Sequence, residues 1–264
     1  MRKILFPTDL TDNSVKALNY AQNIAINSGL ELLLLHSSMT AENKLLAEKK
    51  LNKLTLDLAS LDVKGADRIT YEGVCVEGLP VEQVANWMSK DDTEMLVMAT
   101  SGDHRDHFQG IYLKSNTASV LERIQKPILF FPLHSKVETI SNVLVSIDVM
   151  KYSIELLEEL EDFVKQFNAK IQFIYVCNSE SVQIKEAIIG FNASVSAYFS
   201  DVQIKVIMNE VYEESIANVV EQEKIDLLVM IKYKKQFWEK WLTKSNTQQM
   251  TYSSAIPVLV LSAE

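Results

Sequence analysis

Small polar residues follow two apolar segments of this chain at places where an anion could bind. Thr8 and Asp9 come directly after the first apolar run, and Thr100-Ser101-Gly102 follows a later one. Further along, Lys114-Ser115-Asn116-Thr117 opens a segment with a helical pattern. Free backbone N–H groups at a helix N-terminus, together with hydroxyl side chains, attract anions. The same Ser115 is also explained as a helix N-cap, which needs no ligand.

The elements that position these residues alternate between short apolar runs and longer amphipathic ones. This pattern predicts an open α/β sheet of parallel strands, whose ligands bind beyond the carboxyl ends of the strands. The predicted strands are 4–6, 32–35, 69–76, 95–99 and 128–131, and the predicted helices are 14–27, 41–61, one opening at 80, and 115–124. Asp9 and Gly102 are therefore expected at the same edge of the sheet.

The second half of the chain repeats the first. Ser115-Asn116-Thr117 recurs as Ser245-Asn246-Thr247, and Pro127 recurs as Pro257, both 130 residues later. A constant offset indicates a duplicated domain, which predicts domains at 1–134 and 140–264. The predicted strands of the second half are 143–147, 171–176, 202–208, 227–231 and 258–261, and its helices are 153–167, 181–199, 213–223 and 245–253.

Composition narrows the classes of function. The chain has 264 residues and a formal net charge of −9, which argues against a broad nucleic-acid surface. No apolar run approaches the ~18 residues that span a bilayer, and the start has no signal-peptide pattern. Cys75 and Cys177 fall in predicted strands, and we expect them to be buried, reduced thiols of a cytoplasmic protein.

The whole chain resembles a tandem universal stress protein of the UspA superfamily. The resemblance rests on Pro7-Thr8-Asp9, Gly78-Leu79-Pro80, the segment 96–102, and Ser115-Asn116-Thr117 with Pro127 beyond it. It implies two tandem flavodoxin-like (adenine-nucleotide alpha-hydrolase-like) domains, each an open five-stranded parallel sheet with helices on both faces. It also implies that the last strands, 128–131 and 258–261, pair the two domains within one chain, and that whole chains can form a homodimer.

ATP-binding members of this family carry a Gly-x-x-Gly-x9-Gly-Ser/Thr loop, from which this chain departs. Ala99 stands at the first glycine, Gly102 matches the second, and Lys114 replaces the last one. Eleven residues, rather than nine, separate Gly102 from Lys114. A lysine at this position either neutralises a phosphate or prevents a backbone conformation that needs glycine.

The resemblance implies ATP binding in the first domain, with Mg²⁺ accompanying the nucleotide. Asp9 is then expected near adenine, and the residues expected near ribose and phosphates are Ala99, Gly102, Lys114, Ser115, Asn116 and Thr117. No residue presents itself as a catalytic base or nucleophile, so we expect a stress-response regulator and not an enzyme. The alternative is an interaction scaffold that binds no nucleotide, or a binder of another small ligand.

The second half departs further from the nucleotide loop. Asp148 matches Asp9, but the loop 231–244 contains no glycine. Its aromatic residues, Phe237, Trp238 and Trp241, are interpreted as packing that fills or covers the former pocket. Its lysines also fit a site for a different anion, or a face that docks a partner.

An inserted stretch in the first loop contains His104 and His107 with aspartates beside them. Imidazole and carboxylate groups suit zinc, but such spacing is frequent in polar loops. We therefore expect a solvated loop here and no metal site.

Overall fold

Strands and helices alternate through most of the described part of the chain in the computed structural model, which is the α/β arrangement that the sequence predicts. The structure describes residues 2–61, 69–100, 107–108, 111–112, 124–132, 135, 137, 139–209, 211–233 and 256–263. The chain divides into two units, Met1–His134 and Ser135–Glu264. Each unit is described by itself below.

The first unit contains three helices and seven strands within the described residues. They are β1 (Lys3–Pro7), α1 (Asp12–Ser28), β2 (Glu31–Ser38), α2 (Ala41–Leu61), β3 (Tyr71–Glu77), α3 (Pro80–Met88), β4 (Thr93–Thr100), β5 (His107–Phe108), β6 (Ile111–Tyr112) and β7 (Ile128–Pro132). The predicted helix 115–124 lies outside the described residues, apart from Ile124.

Local sequence explains where α1 begins and ends. Thr11 is its N-cap, and the side chain of Thr11 accepts a hydrogen bond from the backbone N–H of Ser14. Gly29 ends the helix with φ +64°, a left-handed conformation that glycine adopts without a steric penalty. The strand that follows, β2, is buried from Leu32 to Leu35, which suits a sheet covered on both faces.

The strands of the first unit form a parallel sheet in the order β3-β2-β1-β4-β7. The chain moves outward from β1 through β2 to β3, and it then crosses back to β4 and continues to β7. The strand order therefore reverses between β1 and β4. Crevices beyond the carboxyl ends of strands at such a switch point are the usual ligand sites of this architecture.

The second unit repeats this alternation. Its elements are β8 (Asn142–Ser146), α4 (Ile154–Phe167), β9 (Lys170–Cys177), α5 (Val182–Val195), β10 (Ile204–Met208), α6 (Tyr212–Gln222), β11 (Leu227–Lys232) and β12 (Val258–Ser262). Its parallel strands lie in the order β10-β9-β8-β11-β12, so the strand order reverses between β8 and β11. The predicted helix 245–253 lies outside the described residues.

Aromatic side chains pack against the sheets of both units. In the first unit, Tyr20 of α1 stacks on Phe131 of β7 with ring centroids 4.8 Å apart. In the second unit, Phe173 of β9 meets Phe191 and Phe199 edge to face, at 5.3 and 5.6 Å. Edge-to-face pairs of this kind contribute about 1 kcal/mol each beyond the area they bury.

Three details differ from the sequence predictions. The segment predicted as a solvated loop contains two short antiparallel strands, β5 and β6, and β5 pairs with the end of β4. The helix predicted over 181–199 ends at Val195, because a turn follows it and lets Phe199 reach Phe173. Cys75 is half-buried rather than buried, since it lies on β3, which is paired only with β2 among the described strands.

Candidate functional site

The loop after β1 is fixed by hydrogen bonds between its own hydroxyl groups and the neighbouring strand. The backbone N–H of Thr8 donates to the carbonyl of Leu35 at 2.9 Å. The hydroxyls of Thr8 and Ser14 are 2.7 Å apart and both residues are buried. The backbone N–H of Leu10 also donates to the Thr8 hydroxyl, at 3.1 Å. The loop therefore holds the next residue, Asp9, at the carboxyl end of β1.

One oxygen of the Asp9 carboxylate is bonded and the side chain stays partly exposed. Its Oδ1 accepts from the backbone N–H of Thr11 at 3.0 Å and from the Thr11 hydroxyl at 2.7 Å. Within the described part of the chain, Asp9 has no ion pair with a basic side chain. Leu10, next to it, has φ +60°, which is unusual for a residue with a Cβ and turns the chain sharply into α1.

A second group of hydrogen bonds ties β2 and β3 to this edge. His36 Nδ1 lies 2.9 Å from the carbonyl oxygen of Thr8, and the Ser37 hydroxyl donates to the Gly78 carbonyl at 2.5 Å. Gly78 has φ +125°, and a Cβ there would lie 2.9 Å from Gln83 Nε2. The backbone conformation at position 78 therefore favours glycine, and a larger residue would also have to displace the end of the Gln83 side chain.

The residues that the sequence predicts on the β4 side of the switch point are only partly described. Ala99 is 7% exposed and pairs in register with Phe131 of β7. It lies one residue before the end of β4, on the strand next to the one that leads into Asp9. The remaining predicted residues, Gly102, Lys114, Ser115, Asn116 and Thr117, lie outside the described residues, as do His104 and the aromatic segment 237–241.

The matching loop of the second unit is built from different side chains. Asp148 follows β8 as Asp9 follows β1, and its Oδ1 accepts from the backbone N–H of Met150 at 3.0 Å. Its Oδ2 forms an ion pair with Lys151 Nζ at 3.0 Å. The backbone N–H of Asp148 donates to the phenol oxygen of Tyr233 at 3.2 Å. Asp148 is thus contacted on three sides by residues of its own unit.

Two tyrosines of this region have pKa values raised well above that of an exposed tyrosine. Tyr212, at the start of α6, is hydrogen-bonded to the hydroxyl of Ser146 at the end of β8. Burial raises the pKa of Tyr212 to about 12, although the bond to Ser146 acts in the opposite direction. Burial likewise raises the pKa of Tyr233 above its ordinary value, and the nearby Asp148 carboxylate adds to this shift.

Sequence reasoning missed Lys151, Tyr212 and Tyr233. A usable indication existed for Tyr233, because it lies two residues after the predicted strand 227–231 and so falls at the carboxyl edge. For metal binding, the described residues contain no group of three His, Cys, Asp or Glu side chains that could hold an ion. Within the same residues, no helix is long and apolar enough to cross a bilayer.

Comparisons with known proteins identify the fold and the family. The chain is similar to a universal stress protein from Archaeoglobus fulgidus DSM 4304, with 19% identity over 98% of this chain and 96% of that one and a TM-score of 0.74. It is similar to the cytoplasmic domain of a prokaryotic cation chloride cotransporter, with 12% identity over 98% and 94% and a TM-score of 0.59. A universal stress protein in complex with cAMP matches 50% of this chain and 97% of its own, with 21% identity and a TM-score of 0.38.

A search of the curated proteins finds no match to the chain. A model of the universal stress protein family matches residues 1–132, which is half of the chain and includes Asp9 with all the elements of its switch point. The Archaeoglobus structure shares its fold with both units, since the alignment spans nearly the whole chain. The protein belongs to the universal stress protein family.

Proposed function

We propose that this protein is a cytoplasmic stress-response regulator that binds an adenine nucleotide, ATP, in its first unit. The observation that carries the proposal is the place of Asp9, a partly exposed carboxylate without an ion pair among the described residues. It lies beyond the carboxyl end of β1, where the strand order reverses toward β4. Ligands of open parallel sheets bind in this crevice.

The roles of the individual residues follow from this placement and from the loop sequence. Only Oδ1 of Asp9 is engaged with Thr11, so Oδ2 is available to accept a hydrogen bond from the exocyclic amine of adenine. Ala99 is small enough to line the crevice. The groups proposed for ribose and phosphates are those of Gly102, Lys114, Ser115, Asn116 and Thr117. Mg²⁺ would accompany the phosphates, with Lys114 supplying a further positive charge.

A binding role, rather than an enzymatic one, is supported by the side chains around Asp9. The hydroxyls of Thr8 and Ser14 are bonded to each other, and His36 Nδ1 is engaged with the Thr8 carbonyl. None of these groups is positioned to activate a nucleophile. The assignment to the cytoplasm is supported by Cys75 and Cys177, which are both unpaired thiols.

The test is calorimetric titration of nucleotide-stripped protein with ATP and Mg²⁺, using the two matched aspartates. We expect one site per chain. Asp9→Ala should lower the affinity for ATP at least about tenfold, since a hydrogen bond to a charged group contributes about 1.5–3 kcal/mol. Asp148→Ala is the matched control, and it should leave the affinity within about twofold. Equal effects of the two substitutions would contradict the assignment of the site to the first unit.

The variant Lys114→Gly distinguishes the two roles open to Lys114, which are contact with a phosphate and obstruction of the loop. A weaker affinity supports a phosphate contact, whereas a stronger one means that the lysine obstructs the loop. No binding at millimolar ATP would remove the nucleotide proposal and favour an interaction scaffold. Association of the two units through their last strands, and of whole chains as a homodimer, stays a prediction from the family resemblance.

A further inference from the structure

Asp148 is enclosed by two side chains that have no counterpart around Asp9. Lys151 binds its carboxylate at 3.0 Å, and Tyr233 binds its backbone N–H at 3.2 Å. The ammonium of Lys151 also lies 5.7 Å from the centre of the Tyr233 ring, within the range of a cation–π contact. The three residues therefore contact one another pairwise, and they form a closed triangle at the carboxyl edge of the second unit.

The repeat in the sequence shows which residues would occupy these positions in the first unit. Three positions after the matched aspartates, Asp12 stands where the second unit has Lys151. After the matched apolar runs 96–98 and 228–230, Ser101 stands where the second unit has Tyr233. At these two matched positions the first unit therefore has neither a cation nor a phenol.

The side chain of Tyr233 extends from the end of β11 toward the end of β8, across the switch point of the second unit. It is the first residue after β11, the strand adjacent to β8, and Asp148 lies two residues after β8. Its hydroxyl reaches back to the Asp148 backbone, so the ring must span the space between the ends of the two strands. This is the crevice in which an open parallel sheet would hold a ligand.

We propose that Tyr233 and Lys151 close the nucleotide position of the second unit, with the tyrosine ring standing in for a base and the lysine neutralising Asp148. The second unit is therefore self-occupied and excludes nucleotide. This inference rests on the proposed function of the first unit, because it concerns the repeat of that same site.

The closure is weak enough to be opened without unfolding the unit. The side chain of Lys151 is 59% exposed, and ion pairs this open to water contribute little to stability. The hydrogen bond between Tyr233 and the backbone N–H of Asp148 joins two neutral groups, so its net contribution is modest. Two substitutions that copy the first unit should therefore leave the fold intact and expose Asp148.

The experiment uses photoaffinity labelling of the full chain with 8-azido-ATP, followed by mass-spectrometric mapping of the labelled peptides. In the unaltered protein we expect label on first-unit peptides only. In the double variant Lys151→Asp/Tyr233→Ser we expect label on second-unit peptides to rise at least about fivefold, which corresponds to about 1 kcal/mol of relieved competition. Excess ATP should compete this new label away.

A matched control removes the same residue types elsewhere on the second unit. Lys185 pairs with Glu180, and the Tyr198 hydroxyl donates to Glu158. The variant Lys185→Asp/Tyr198→Ser therefore loses a lysine and a tyrosine that contact acidic residues, but it leaves Asp148 enclosed. It should show no gain of second-unit label.

The outcomes separate the inference from the proposed function. Second-unit label in the unaltered protein, equal to that on the first unit, overturns the closure. So does a double variant with unchanged circular dichroism and no gain of label. Absence of label on the first unit overturns the proposed function instead, and a competed gain of second-unit label in the double variant would still support the closure.

Discussion

Asp9 and Asp148 occupy the same place after the first strand of their units, but they have opposite surroundings. Around Asp9 the partners are the hydroxyl and the backbone N–H of Thr11, and the carboxylate stays partly exposed. Around Asp148 the partners include an ammonium and a phenol. Equivalent backbone positions are thus open in the first unit and closed in the second. The difference comes from Lys151, in the turn after Asp148, and from Tyr233, which follows the neighbouring strand.

The two units also differ at the end of their first strand, just before this loop. The second unit buries a tyrosine against the end of its first strand, where Tyr212 bonds to Ser146. At the corresponding strand end the first unit has Pro7, which offers no hydroxyl, and α3 begins with Pro80 where α6 begins with Tyr212. The second unit has therefore gained phenol–hydroxyl contacts at the edge where the first unit keeps small side chains.

The largest expected effect concerns Tyr212 at high pH. Because burial raises its pKa to about 12 in the folded protein, the unfolded chain loses this proton first as the pH passes 10. The stabilisation is complete below pH ~10 and is lost between pH ~10 and ~12, by up to about 3 kcal/mol. Urea unfolding at several pH values between 9 and 12 measures this loss. Tyr212→Phe should reduce the slope, and the raised pKa of Tyr233 should keep part of it.

Tyr152→Phe is the control for this experiment, since it removes another phenol that bonds to a serine, Ser194. It measures the change in stability that follows the loss of a serine-bonded phenol hydroxyl elsewhere in the second unit. If Tyr212→Phe keeps the full slope, the buried phenol of the second unit is not the group that titrates.

A medium effect is expected for Thr11→Ala in the first unit. The substitution removes the N-cap of α1 and the bond from the Thr11 hydroxyl to the Asp9 carboxylate, but it keeps the bond from the backbone N–H. The free energy of unfolding should therefore fall by about 1–2 kcal/mol. Met150 occupies the matching position of the second unit and its side chain is 54% exposed, so Met150→Ala should cost less than about 0.5 kcal/mol. Denaturant melts of both variants give the comparison, and equal costs would show that the two loops are held alike.

The smallest effect is expected for Lys151→Ala. Its ion pair with Asp148 is largely solvated, so the loss of stability should be less than about 1 kcal/mol, and it should shrink further in 1 M salt. Lys44→Ala gives a second exposed pair for comparison, with Glu48 at 4.0 Å within one helix. A loss above 2 kcal/mol for Lys151→Ala, unchanged by salt, would mean that the closure is a rigid part of the core.

Local patterns made most of the scaffold predictable. The cap at Thr11, the stop at Gly29 and the proline that opens α3 each depend on a few adjacent residues. The apolar run 32–35 likewise marked a strand that is buried on both faces. The α/β class with parallel strands follows from such elements and their order.

The closed site could not be predicted in the same way. Asp148 meets Tyr233 because β8 and β11 are neighbours in the sheet, and Ser146 meets Tyr212 because α6 begins beside the end of β8. Neither pair leaves a periodic trace in the sequence, since a tyrosine after a strand is equally compatible with exposure. The hairpin of β5 and β6 was missed for a related reason, because strands of two residues are too short to show alternation.

The central position of β1 has a consequence for the order in which a newly made chain can fold. β1 pairs first with β2, which follows soon after it, but its other edge waits for β4 at Thr93–Thr100. Parallel pairing across such a long stretch is slow to form, and the N-terminal part leaves the ribosome first. A nascent chain that stalls before β4 therefore presents the apolar flank of β1 to chaperones and to other chains.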